Sequence, residues 1–136
     1  MNIVIAKTQK EITDNYMVRG KVFIVGQEID WDIEFDGLDE ECVLFTAYID
    51  DIAVGAARLY KNKVGRVATL EEYRKQGIAS KIMEAIEMYA RNNGIKKVIL
   101  NAQLYIKDFY MNLGYTPIGD IFQEADIDHI KMEKEL

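Results

Sequence analysis

Six consecutive residues, Arg74-Lys75-Gln76-Gly77-Ile78-Ala79, have the types and spacing to hold an anion. They follow an apolar run, Val64 to Leu70, and open a helical pattern that continues to about Asn92. The stretch therefore reads as a turn from a strand into a helix N-terminus. The first N–H groups of a helix have no internal partners, and the helix dipole places partial positive charge there. Gly77 lets the backbone approach a ligand with no Cβ in the way. Ile78 and the small Ala79 seat the helix against a sheet. Two nucleotide motifs are excluded. A P-loop needs Gly-x-x-x-x-Gly-Lys-Ser/Thr, and a dinucleotide turn needs Gly-x-Gly-x-x-Gly with an acidic residue about 20 positions on. Neither is present.

The elements that must position this turn follow from periodicity. Ile3 to Ala6 is a short strand. Thr8 and Glu11 have capping-box spacing, which predicts a helix from about Gln9 to Val25 ended by Gly26. Ile12, Tyr16, Val18 with Arg19, and Phe23 fit its buried face. Gln27 to Glu41 is a loop or short helix, in which Trp31 and Phe35 are expected to tie to the core or wall a pocket. Cys42 to Ile49 and Ile52 to Tyr60 form a hairpin around Asp50-Asp51, and Lys61-Asn62-Lys63 turns into the strand Val64 to Leu70. After the helix, capped by Asn93-Gly94, Lys97 to Ala102 is a buried strand. The strand–helix–strand crossover makes these two strands parallel. Lys107 to Leu113 is a short helix stopped by Gly114, and Tyr115 to Phe122 and Ile127 to Met132 are strands. Pro117, the only proline, marks an edge or a bulge. The order β-α-β-β-β-α-β-α-β-β gives an α/β fold with a mixed central sheet.

Length and composition bound the rest. The 136 residues fit one domain with a real core, and 49% of them are apolar. A net charge of −6 argues against a general nucleic-acid binder. No signal peptide or membrane-length apolar run is read, so a cytoplasmic protein is expected. Cys42 is the single cysteine and reads as a core residue. Charge is unevenly spread. Gln27 to Glu41 holds eight acidic residues and no basic one, whereas Arg58 to Lys81 holds seven basic residues against Glu71 and Glu72. Cations gathered around a helix N-terminus point to an anionic ligand. No metal constellation is visible.

The pattern Arg-x-x-Gly-x-Ala resembles the acyl-CoA pyrophosphate loop of the GNAT N-acetyltransferase superfamily, and the predicted element order is that family's order. Asp108-Phe109-Tyr110-Met111-Asn112-Leu113-Gly114-Tyr115 resembles the family's Phe-Tyr-x-x-x-Gly-Phe/Tyr signature. The likeness covers essentially the whole chain and extends to a subgroup of small bacterial-type members. It rests there on Val18-Arg19-Gly20-Lys21-Val22-Phe23, Asp36-Gly37-Leu38-Asp39, Ala102-Gln103 and the segment from Phe122 to Met132 containing His129. Three departures stand out: Gly26-Gln27 where the subgroup has Glu-Gln, Glu71 in place of a proline before the loop, and Ala79 in place of glycine.

The resemblance implies a single acetyltransferase domain over residues 1–136, with the strands ending at Leu70 and Ala102 splayed apart. It implies acetyl-CoA as co-substrate, its pantetheine arm paired with the backbone of Val67, Ala68 and Thr69, its pyrophosphate on the amides from Lys75 to Ser80, and Arg74 and Gln103 beside it. It implies direct attack by a primary amine on the thioester, with Tyr110 giving a proton or hydrogen bond to the leaving thiolate. The general base stays open among Glu28, Glu34 and Asp36, while His129 reads as structural with a site role kept possible by the resemblance. A catalytically inactive acyl-CoA sensor and a plain protein-interaction domain are the alternatives. The amine acceptor is not named, no nucleic acid or membrane partner is expected, and a homodimer is left open.

Overall fold

The computed structural model describes residues 1–136. Seven strands form one mixed sheet: β1 (Asn2–Ile5), β2 (Val43–Ile49), β3 (Ile52–Tyr60), β4 (Lys63–Thr69), β5 (Lys97–Gln103), β6 (Thr116–Glu124) and β7 (Ile127–Glu135). Four helices accompany them: α1 (Gln9–Arg19), α2 (Trp31–Glu34), α3 (Ile78–Asn92) and α4 (Lys107–Asn112). The strand order is β1-β2-β3-β4-β5-β7-β6. The proline-bearing strand β6 is thus an edge, where a missing N–H costs no ladder bond. No helix is long and apolar enough to cross a membrane.

Local chemistry explains most boundaries. Thr8 and Glu11 cap α1 reciprocally: the Glu11 amide donates to Thr8 Oγ1 at 3.1 Å, and the Thr8 amide donates to Glu11 Oε1 at 3.1 Å. Asp50-Asp51 and Ala125-Asp126 close two hairpins with both central residues at positive φ, as two-residue turns require. Gly94 and Gly114 end α3 and α4 in the left-handed region.

The two sheet faces carry separate cores. Ile78, Ile82, Met83, Ile86 and Ala90 of α3 pack with Val98, Leu100, Ala102, Ile130 and Met132 on one face. Val18, Val22 and Phe23 pack with Ala53, Ala56, Ala68 and Leu70 on the other. Gly55 sets how closely α3 approaches, since a Cβ there would lie 2.9 Å from both Ile78 Cγ2 and Ile82 Cδ1.

Three expectations change. The helix expected over 9–25 is α-helical only to Arg19, and Gly20–Val25 is a π-helix. Its last bond runs from the Gly26 amide to the Lys21 carbonyl at 3.0 Å. Gly26 ends it in ordinary right-handed geometry (φ −74°), and glycine is required there because a Cβ would lie 2.5 Å from the Val22 carbonyl oxygen. Trp31 is 69% exposed and packs in neither core, whereas Phe35 packs edge-on against Tyr16 at 5.3 Å and lines a pocket with it. Cys42 precedes β2 and is half-buried, its thiol donating to the Leu38 carbonyl at 3.2 Å. Within the acidic segment Glu34 is buried, at 2% exposure.

Candidate active site

The site begins where the sheet fails to close. β4 and β5 are parallel but pair only at Lys63 with Ile99 and Val64 with Leu100, at the start of β4 and the middle of β5. Beyond that point they diverge. The Leu70 amide bonds back to the Val54 carbonyl at 2.9 Å, and Ala68 lies opposite Ala56. By the two-residue alternation of a ladder, Ala68 turns its backbone toward β3, while Val67 and Thr69 turn theirs into the gap. The Ala68 side chain is buried beneath α1. A register shift between Ala56 and Arg58, with Arg66 at φ 56°, marks the bulge that bends β4 away.

The glycine loop lies past the end of β4. Arg74 folds back so that its Nε donates to the Thr69 carbonyl at 3.2 Å. Lys75 (φ 63°) and Gly77 (φ 80°) reverse the chain into α3. The Lys81 amide is the first to bond within the helix, to the Gly77 carbonyl at 3.1 Å. The amides of Lys75, Gln76, Gly77, Ile78, Ala79 and Ser80 donate to no group of the chain, and no side chain caps them. The position of a Cβ on Gly77 is open space, so a ligand can meet the backbone there. Ile78 is buried and anchors the turn, whereas Arg74, Lys75 and Gln76 are exposed.

Tyr110 is 4% exposed, edge-on to Phe109 at 5.0 Å and to Tyr115 at 5.9 Å. Its hydroxyl makes no hydrogen bond within the chain. No buried side-chain oxygen is left without a partner, so that hydroxyl is the part of Tyr110 that reaches solvent. Burial holds the phenol above its ordinary range. Tyr115 behind it donates to Glu87 at 2.8 Å, and Glu87 also takes Lys134 at 2.8 Å. Gln103, at the end of β5, is locked in a reciprocal amide pair with Gln27: Gln27 donates at 3.1 Å and Gln103 at 2.9 Å. That pair spans from the π turn, which rests on β4, to β5.

The charge reading is corrected here. Of the seven cations between Arg58 and Lys81, Arg58 and Arg66 do not serve the loop. Arg58 clamps Asp36 at 2.7 Å, and Arg66 pairs with Glu34 at 3.2 Å. Arg19, fully buried, holds Glu34 and Asp39 at 2.8 Å each and donates to Asn15 at 3.1 Å. Two of the three candidate bases, Glu34 and Asp36, are thus committed to arginines, and Glu28 is exposed. The Arg58 guanidinium holds the Asp36 carboxyl well below the usual carboxylate range. At Glu34 burial outweighs its arginines and pushes the carboxyl up. Periodicity could not find this network. The one signal was an arginine at position 19, on the apolar face of the first helix. No group of three or more His, Cys, Asp or Glu side chains converges as a metal site would require.

Known proteins share this arrangement. The domain described as "Acetyltransferase (GNAT) domain" matches residues 11–136. An uncharacterized N-acetyltransferase, YjcF, of Bacillus subtilis is 33% identical over 99% of this chain and 100% of its own length. The crystal structure of an acyl-CoA N-acyltransferase from Pseudomonas aeruginosa superposes with a TM-score of 0.88 at 25% identity, covering 98% of this chain and 99% of that one. An aminoglycoside 6'-N-acetyltransferase complexed with coenzyme A shares the fold, at a TM-score of 0.76 and 16% identity over 99% and 97% of the two chains. A chain with the splayed parallel strands, the glycine turn and this family match belongs to the GNAT acetyltransferase family and is an acyltransferase.

Proposed function

We propose that the protein transfers the acetyl group of acetyl-CoA to a primary amine by direct attack. The observation that carries this is the run of six unpartnered amides, Lys75 to Ser80, at the mouth of an open β4–β5 gap. The residues present fit the ligand. Pre-aimed N–H groups at a helix N-terminus receive a pyrophosphate, and the open space at Gly77 admits it. Arg74 and Lys75 add charge, a small contribution at exposed positions. The backbone of Val67 and Thr69 faces the gap and can pair with the amide groups of a pantetheine arm. Ala68 contributes by seating β4.

Acetyl-CoA supplies the reactive thioester. The chain's part is to place it, to answer the charge on its carbonyl oxygen, and to ease the departure of sulfur. A gap-facing backbone N–H of β4 can meet the growing negative charge. Tyr110, like any phenol, is protonated at neutral pH, and burial raises its pKa further. Full proton transfer from such a phenol to a thiolate of pKa near 8.5 is uphill. Tyr110 therefore acts mainly as a hydrogen-bond donor to the leaving sulfur. Gln103 can turn from Gln27 to the ligand when the arm enters.

The test is thermal unfolding with and without acetyl-CoA, with Gly77→Glu as control. A ligand at 100 times its Kd stabilises the folded state by about 2.7 kcal/mol. The wild type is expected to shift upward and the variant not to. Absence of any shift at millimolar acetyl-CoA would sink the reading. Amine-dependent thiol release then separates an active enzyme from an inactive acyl-CoA sensor.

A further inference from the structure

On the sheet face that carries α1, a row of side chains runs from the gap to the sheet's far edge: Gln27, Gln103, His129 and Phe122. His129 is in register with Gln103 on β5 and with Phe122 on β6, so the three project from the same face. The imidazole is buried and stacks on Phe122, with centroids 5.9 Å apart. Its Nδ1 lies 2.6 Å from the Ile127 carbonyl oxygen. A carbonyl only accepts, so Nδ1 carries the hydrogen and the neutral ring keeps its lone pair on Nε2. Nε2 bonds to nothing in the chain. Since no buried side-chain nitrogen lacks a partner, Nε2 opens onto solvent. This is the only histidine of the protein.

We propose that His129 is the general base that takes the proton of the acceptor amine. The inference rests on the acetyltransfer reading above. The glycine loop and α3 receive the phosphates from one side of the sheet, so the acceptor approaches from the other, where Nε2 opens. Nε2 accepts one proton from the ammonium group, and the N–H electron pair stays on nitrogen. That nitrogen then forms the C–N bond as the C–S bond breaks; the second proton it sheds ends on the departing sulfur, leaving an amide and a thiol, and the imidazolium returns its proton to solvent. Of the three carboxylates that could compete, Glu34 and Asp36 belong to arginines, and Glu28 lies exposed in the loop. The charged and titratable groups around the ring are few. Lys131 on β7 and Glu124 on β6 share its face, with Glu124 held by the Asn101 amide at 3.2 Å. Asp128 on β7 points to the opposite face, Tyr105 lies in the turn after β5, and Glu28 follows Gln27 in the loop.

A single histidine makes the test unambiguous. Long-range 1H–15N spectra of the labelled protein should show the Nδ1–H tautomer. Spermidine serves as the probe amine for rates. His129→Asn keeps a donor for the Ile127 carbonyl and removes Nε2, and His129→Gln is a second variant of similar bulk. Both should keep the wild-type thermal shift with acetyl-CoA. Both should lose about 100-fold in kcat/KM together with the acid limb of its pH profile. The proposal is overturned by an Nε2–H tautomer or by a folded variant that retains rate and acid limb. Where spermidine proves inert, the tautomer decides. Loss of the thermal shift in the wild type would overturn the acetyl-CoA reading instead.

Discussion

Two charged regions of this molecule treat their polar groups in opposite ways. In the segment from Asp30 to Glu41, Glu34 and Asp39 are pulled against the sheet and met by Arg19, Arg58 and Arg66. No buried side-chain atom there lacks a partner. In the turn from Lys75 to Ser80, six consecutive amides are left to solvent. The first region is scaffold. Its charges have spent their hydrogen bonds on one another and hold the loop, α1 and β4 together. The second is a receptor, whose donors are fixed in direction by Gly77 and Lys75 and wait for a partner from outside. Charge density alone does not distinguish the two; satisfaction does.

That contrast can be broken experimentally, most forcibly at Arg19. Arg19→Met leaves Glu34 and Asp39 short of a partner in a dry site. A loss of about 3–5 kcal/mol in urea unfolding is expected. A neutral result would show that the network is not the scaffold described.

Acid should separate the regions next. The Asp36 carboxyl is depressed by Arg58, so its stabilisation is present above the unfolded pKa near 3.9 and is lost as pH falls from there through the lower folded-state pKa. Glu34, whose carboxyl burial raises, acts in the opposite sense: its contribution is lost as pH rises. Asp36→Asn should therefore flatten the fall in stability below about pH 4, read from unfolding midpoints over a pH series. An unchanged slope would remove Asp36 from the account.

The loop should respond in binding and not in stability. Lys75→Ala is expected to leave unfolding within about 0.5 kcal/mol of wild type and to weaken acetyl-CoA by less than about tenfold, measured by calorimetry. A larger loss of affinity would mean that side-chain charge, not the backbone, dominates the site. The smallest effect is expected at Trp31. Trp31→Ala should change stability by no more than about 0.5 kcal/mol, because the ring is mostly in water.

Local residues announced much of this fold. Thr8 and Glu11, the aspartate pair at 50–51, Gly94 and Gly114 mark boundaries through interactions a few residues long. The apolar period of α3 and the buried alternation of β5 likewise need only neighbours in sequence to be seen. The glycine turn was legible because a positive φ and a helix start leave a signature within six residues.

Other features depend on partners far along the chain. Arg19 meets Glu34 and Asp39 fifteen and twenty residues away, so nothing local distinguishes those acids from solvated ones. The Gln27–Gln103 pair joins residues 76 positions apart. The π turn at Gly20–Val25 arises where α1 must pass from β3 onto β4, and Gly26 permits it by lacking a Cβ. The insertion of β7 between β5 and β6 put His129 beside Gln103 and Phe122, whereas its tautomer is set locally by the Ile127 carbonyl. Short-range sterics and periodicity, carried by the sequence itself, set the elements and the anion turn. Which charges are spent on the scaffold, and which groups face the gap, was decided only when the sheet closed and desolvation chose the partners.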